Sequence, residues 1–119
     1  MNLFEKDKLE YWQKIDPQHW KEIANGIIDV FSSVAPQDFA LFKIAAKKRD
    51  CRVCSLIAHR LQSSYAHVGG ERLQDLFSRI EIFAESMQWE QVDNTIHEIE
   101  ALKGPTHKLI ENFRRDHLQ

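Results

Sequence analysis

The sequence predicts an all-α fold, an antiparallel (up-down-up-down) four-helix bundle with an additional N-terminal helical segment. Three observations carry this. Apolar residues recur at helical spacing in one segment after another, no stretch alternates with period two, and only four Gly and three Pro interrupt 119 residues.

Residues 1–15 read as an N-terminal extension or short helix, with Leu3, Phe4, Leu9, Trp12 and Ile15 set among charges. Asp16-Pro17 reads as an N-cap followed by proline at the first helical position. From there Trp20, Ile23, Ile27, Phe31 and Val34 recur at helical spacing. Pro36 is expected to open another helix, whose apolar face carries Phe39, Leu41, Phe42, Ala45 and Ala46 and which ends in Lys47-Lys48-Arg49. Asp50 is placed to cap the next, with Val53, Leu56, Ile57, Leu61, Ser64, Tyr65 and Val68 as its buried stripe and Gly69-Gly70 as its stop. Leu73, Leu76, Phe77, Ile80, Phe83 and Met87 define a further helix. Val92, Ile96 and Ile99 start the last, which a kink or break is expected to interrupt at Gly104-Pro105 before Leu109, Ile110 and Phe113. Short connections between amphipathic helices favour antiparallel neighbours.

The length fits one domain spanning residues 1–119. Apolar residues make up 43% and charged residues 29%, which suits a packed domain rather than a disordered chain. A net charge of −2 argues against a nucleic-acid partner, which would demand a basic surface. No apolar run approaches a membrane span and the N-terminus lacks a signal peptide's apolar core, so a cytoplasmic location and no membrane partner are expected. Two cysteines, Cys51 and Cys54, lie too close in sequence to staple the fold. They read as reduced, and no second Cys pair or close His pair follows at the spacing a four-ligand zinc site needs.

His59 is the chemically informative residue. Helical phasing turns it away from the stripe of Leu56, Ile57 and Leu61, in the middle of its helix. Ser55, Gln62 and Ser63 lie one turn away, and Ala66 lies two. Imidazole is substantially neutral, and so nucleophilic, near pH 7. His19, His67, His97, His107 and His117 read as solvated positions, His67 near the edge of the same surface.

The stretch A-H-R-L-Q-S-S-Y-A-H-V-G-G-E-R-L, residues 58–73, resembles the signature of histidine phosphotransfer domains, with His59, Leu61, Ser64, Gly69 and Leu73 in register. The resemblance extends over about residues 30–90, through V-F-S-S-V-A-P-Q-D-F-A-L-F-K-I-A-A-K-K-R-D before it and F-S-R-I-E after it. It implies that His59 accepts a phosphoryl group from an aspartyl phosphate on a response-regulator receiver domain and passes it to a second receiver. It also implies that the receiver supplies Mg²⁺ and a lysine. The chain itself would then need no metal or nucleotide and would be a carrier rather than an autonomous enzyme. Partners would be receiver domains, a hybrid sensor histidine kinase, or both. A monomer is expected on separate grounds, because one core consumes the apolar stripes. Met1 and the full set of helices favour a free-standing protein over a piece of such a kinase.

Two positions depart from the pattern. Gln62 stands where the family has lysine and Ser63 where it has glycine. Gln62 can donate hydrogen bonds but no charge, and Ser63 keeps the site small. Arg52 two turns earlier, Arg60 beside the histidine, and Lys43 or Lys47 are candidates for the missing charge. The docking face would comprise His59, Gln62, Ser63 and Ala66, supported by Arg52, Ser55 and Arg60. The departures keep open a non-transferring adaptor or decoy that binds receivers. A helical scaffold or metal-binding bundle using Cys51 and Cys54 is a third reading.

Overall fold

A computed structural model describes all 119 residues. It contains five helices and no strand: α1 (Asp7–Ile15), α2 (Trp20–Lys47), α3 (Cys51–Val68), α4 (Glu71–Glu85) and α5 (Trp89–His117). All five contribute to one cluster of 25 buried hydrophobic residues. Its centre is aromatic: Phe77 meets Phe42 edge-on at 6.3 Å between ring centroids, and Tyr65 stacks on Phe77 at 5.6 Å.

Cross-helix pairs show how the helices lie. Asp29–Arg114 and Lys43–Glu100 join α2 to α5 in reversed sequence order, and Arg49, in the turn after α2, continues the series to Asp93. Asp38–Arg60 and the Phe31–Tyr65 ring pair join α2 to α3. Ser55–Glu85 and His59–Glu81 join α3 to α4, again in reversed order. Thus α3 is flanked by α2 on one side and α4 on the other.

The sequence explains both ends of α3. The Asp50 carboxylate accepts from the Val53 N–H at 3.1 Å and caps α3. Gly69 takes the left-handed conformation, φ 81°, and the Gly70 N–H returns to the Tyr65 carbonyl at 2.8 Å. Residues 2–5 strap across this α3–α4 turn. The Glu5 N–H donates to the Gly69 carbonyl at 2.7 Å and the Arg72 N–H to the Asn2 carbonyl at 3.1 Å.

Four expectations need correction. Asp16-Pro17 does not open a helix directly. Asp16 follows the last residue of α1, and its carboxylate accepts from the His19 N–H at 3.2 Å, in a turn before α2 begins at Trp20. Pro36 does not start a helix either, because α2 runs through it. The carbonyl that Pro36 leaves without a donor is that of Ser32, and both residues are exposed, so water can reach it. Likewise α5 runs unbroken through the exposed Gly104 and Pro105. Finally, the stripes are narrower than expected. Leu56, Val53, Leu41, Val34, Met87 and Leu109 are exposed rather than buried.

Candidate functional site

The site is built on the outer side of α3. At about 100° per residue, Arg52, Ser55, His59, Ser63 and Ala66 fall within about 40° of one direction. Ile57, Ala58, Leu61 and Tyr65 occupy the opposite, buried side. Burial of that stripe sets the rotation of the helix, and the rotation presents His59. Its side chain is 64% exposed.

On the α4 side, the His59 Nδ1 lies 3.4 Å from the Glu81 carboxylate. That is the long end of a hydrogen bond. With Nδ1 turned to Glu81, Nε2 is the free nitrogen on the far side of the ring. One turn nearer the α3 N-terminus, the Ser55 hydroxyl donates to Glu85 at 3.0 Å. Glu81 and Glu85 are four residues apart on α4, so both face α3 from one flank. An open cleft of about 490 Å³ is lined by Arg52, Ser55, Leu56, His59 and Glu81.

The other expected supporting residues separate. Gln62 is half-buried and lines a different cavity, with Lys8, Ser78 and Asp75 among its neighbours. Ser63 is exposed and Ala66 half-buried on the His59 side. Arg60 is drawn away from the histidine: its guanidinium pairs with Asp38, a carboxylate only 3% exposed within α2. A buried carboxylate needs a donor, and Arg60 supplies it. Lys43 pairs with Glu100 at 3.1 Å and lies over the Phe39 ring, so it serves the α2–α5 contact.

On the α2 side, an apolar groove of about 480 Å³ runs between α2 and α3, lined by Ile23, Ile27, Val30, Phe31, Val34, Ser64 and His67 among others. Val30, Val34, Leu41 and Ile44 project from α2 and Leu56 from α3. Ile23, Ile27, Val30, Val34, Leu41 and Ile44 follow a 4-3-4-(7)-3 spacing on one edge of α2, just outside its buried stripe. His59 therefore lies between an acidic flank on α4 and an apolar margin on α2.

Glu81 was missed from the sequence. The inward positions Leu73, Phe77, Ile80 and Ala84 leave Glu81 and Glu85 on one flank of α4, but only the pairing of α4 with α3 turns that flank towards His59. His107 also departs from expectation. It is half-buried, its Nε2 is 2.8 Å from the Tyr65 hydroxyl, and Phe31 meets its ring edge-on. Burial, reinforced by Lys103 and opposed by Glu111, lowers its pKa below the usual 6.5. Cys54 is buried, which pushes its thiol up to about 11, so it is protonated and unreactive at neutral pH. No three His, Cys, Asp or Glu side chains gather where they could hold a metal ion. No helix is long and apolar enough to cross a membrane.

No protein-family model, curated protein or solved structure matches this chain.

Proposed function

We propose that this protein is a histidine phosphotransfer module that carries a phosphoryl group between aspartates of receiver domains on His59. The observation that carries the reading is the exposed imidazole at mid-helix, with one nitrogen turned to a carboxylate and the other free. The reversed cross-helix pairs suit an up-down-up-down arrangement of α2 to α5, with α1 packed outside it. In this reading the domain spans residues 1–119 and works as a cytoplasmic monomer.

The chemistry asks little of the carrier. The lone pair of Nε2 attacks the phosphorus of the aspartyl phosphate, an N–P bond forms, and the P–O bond breaks with its electrons returning to the aspartate carboxylate. Glu81 holds the Nδ1 proton and offsets positive charge developing on the ring. Phosphoryl transfer depends mainly on alignment and charge stabilisation. The family resemblance assigns the Mg²⁺ to the receiver, so the carrier's own contribution is a positioned nucleophile. The exposed apolar residues Leu56, Val34 and Val30 beside it offer area for a protein partner to cover.

Incubation with a panel of phosphorylated receivers tests this. The native chain is expected to acquire an acid-labile, base-stable label, and His59→Gln to acquire none while keeping its helicity and melting temperature. A second reading, a receiver-binding adaptor without turnover, draws on Gln62 standing where the family has lysine. Receiver binding by both native chain and His59→Gln, with no label on either, would select it.

A further inference from the structure

The geometry points to Arg52 as the positioning cation for the phosphoryl group on His59, replacing from two turns upstream the charge that Gln62 lacks. This inference rests on the phosphotransfer reading above.

The need for such a cation follows from the site's own charges. Glu81 faces Nδ1 and Glu85 lies a turn further along α4. A phosphoryl group arriving at Nε2 would bring two further negative charges into this acidic flank, and like charges at such distances repel. The partner's cations leave with the partner, so the phosphorylated carrier between encounters depends on its own residues.

Most candidate cations are committed elsewhere. Arg60 is held by buried Asp38 and Lys43 by Glu100. Lys8 shares a cavity with Gln62, but Glu5, Glu71 and Asp75 line it too. Arg79 is paired with Asp75 at 2.9 Å. Lys47, at the end of α2, does not line the His59 cleft.

Arg52 is exposed, makes no ion pair or side-chain hydrogen bond, and is the one cation lining that cleft. It lies seven residues before His59, so the two side chains leave α3 within about 20° of each other and about 10.5 Å apart along the axis. Both side chains lean towards the helix N-terminus, so their offset is kept and the long Arg52 side chain spans it by turning back along the cleft that both residues line. A guanidinium also suits the phosphate better than an ammonium, because its fork can donate two parallel hydrogen bonds.

The test uses the whole chain and a chemical donor, phosphoramidate, from which Nε2 displaces ammonia as the P–N bond breaks. Phosphorus NMR would follow phosphohistidine formation and hydrolysis in the native chain, Arg52→Gln, Arg52→Lys and His59→Gln. The expected result is about a tenfold slower gain or faster loss of the phosphoryl group in Arg52→Gln. Partial recovery in Arg52→Lys and a weaker salt dependence in Arg52→Gln than in the native chain are expected as well. Equal rates and equal salt dependence in native chain and Arg52→Gln would overturn the role of Arg52 and leave the phosphotransfer reading standing. No phosphohistidine from either phosphoramidate or phosphorylated receivers, or the same signal in His59→Gln, would overturn both.

Discussion

The two ring nitrogens of His59 have different surroundings, and that difference makes separate tests possible. Glu81→Gln keeps an oxygen near Nδ1 but removes the charge. It is expected to slow phosphoryl acceptance by about tenfold or less, as loss of one charge-assisted contact would, with the circular dichroism spectrum unchanged. A native transfer rate in Glu81→Gln would remove Glu81 from the mechanism. Arg60→Ala is expected to behave oppositely. It strands the buried Asp38 carboxylate, so a loss of about 1–3 kcal/mol in chemical denaturation is expected. Transfer per folded molecule should be retained. A transfer defect at full stability would return Arg60 to the site.

At this scale the exposure of His59 was legible and its contact with Glu81 was not. The exposure of His59 follows from the spacing of Ile57, Leu61 and Tyr65 within one helix, which is local information. Glu81 lies 22 residues away in sequence, and its contact exists only because α4 reverses direction against α3. Arg60 looked like a neighbour of the histidine because it is adjacent in sequence. A step of about 100° around the helix instead sends it towards α2 and Asp38.

Among the helices, punctuation at α3 read correctly and prolines did not. Asp50 and Gly69 act through bonds to residues a few positions away, so a single sequence contains what is needed to place them. Pro36 was read as opening a helix and Gly104-Pro105 as a kink or break, the latter because proline removes a backbone hydrogen bond. Both occupy exposed faces of long helices whose opposite faces are held in the core, and tertiary packing overrides the local penalty. The strap from the N-terminus was equally illegible, since it depends on the Glu5 N–H meeting the Gly69 carbonyl. Gly69→Ala is expected to disturb both devices. Its Cβ would meet the Glu5 carbonyl oxygen at 2.1 Å and would force φ 81° on a residue with a side chain. A loss exceeding about 1 kcal/mol is expected, with faster hydrogen exchange at the Glu5 amide. Native exchange there would contradict the strap's dependence on Gly69.

Across the molecule, Tyr65 and His107 tie α3 to α5 inside the aromatic cluster, and this link gives stability a pH dependence. The folded His107 pKa lies below 6.5, so on acidification the unfolded chain takes up this proton first. The contribution is fully present above 6.5 and is lost as pH falls through the folded value. The melting temperature should therefore decline on acidification below 6.5, before the depressed carboxylates Asp93 and Glu100 begin to titrate. His107→Gln, which can still meet the Tyr65 hydroxyl, should flatten that part of the profile. Identical pH profiles for the two proteins would contradict it.

The all-helical fold was legible because helical periodicity is strong wherever one face is buried. The width of the exposed apolar margin was not: Leu56, Leu41 and Val34 satisfy the helical pattern yet lie beyond the reach of the neighbouring helices. That margin and His59 share one side of the molecule, which is the arrangement a phosphoryl carrier needs when its partner must dock before the nitrogen can act. The most direct measurement is phosphorus-coupled NMR of the isotope-labelled chain after exposure to phosphorylated receivers. An N–P bond at Nε2 of His59 is expected. No phosphohistidine from any receiver, or one on a different histidine, would contradict it.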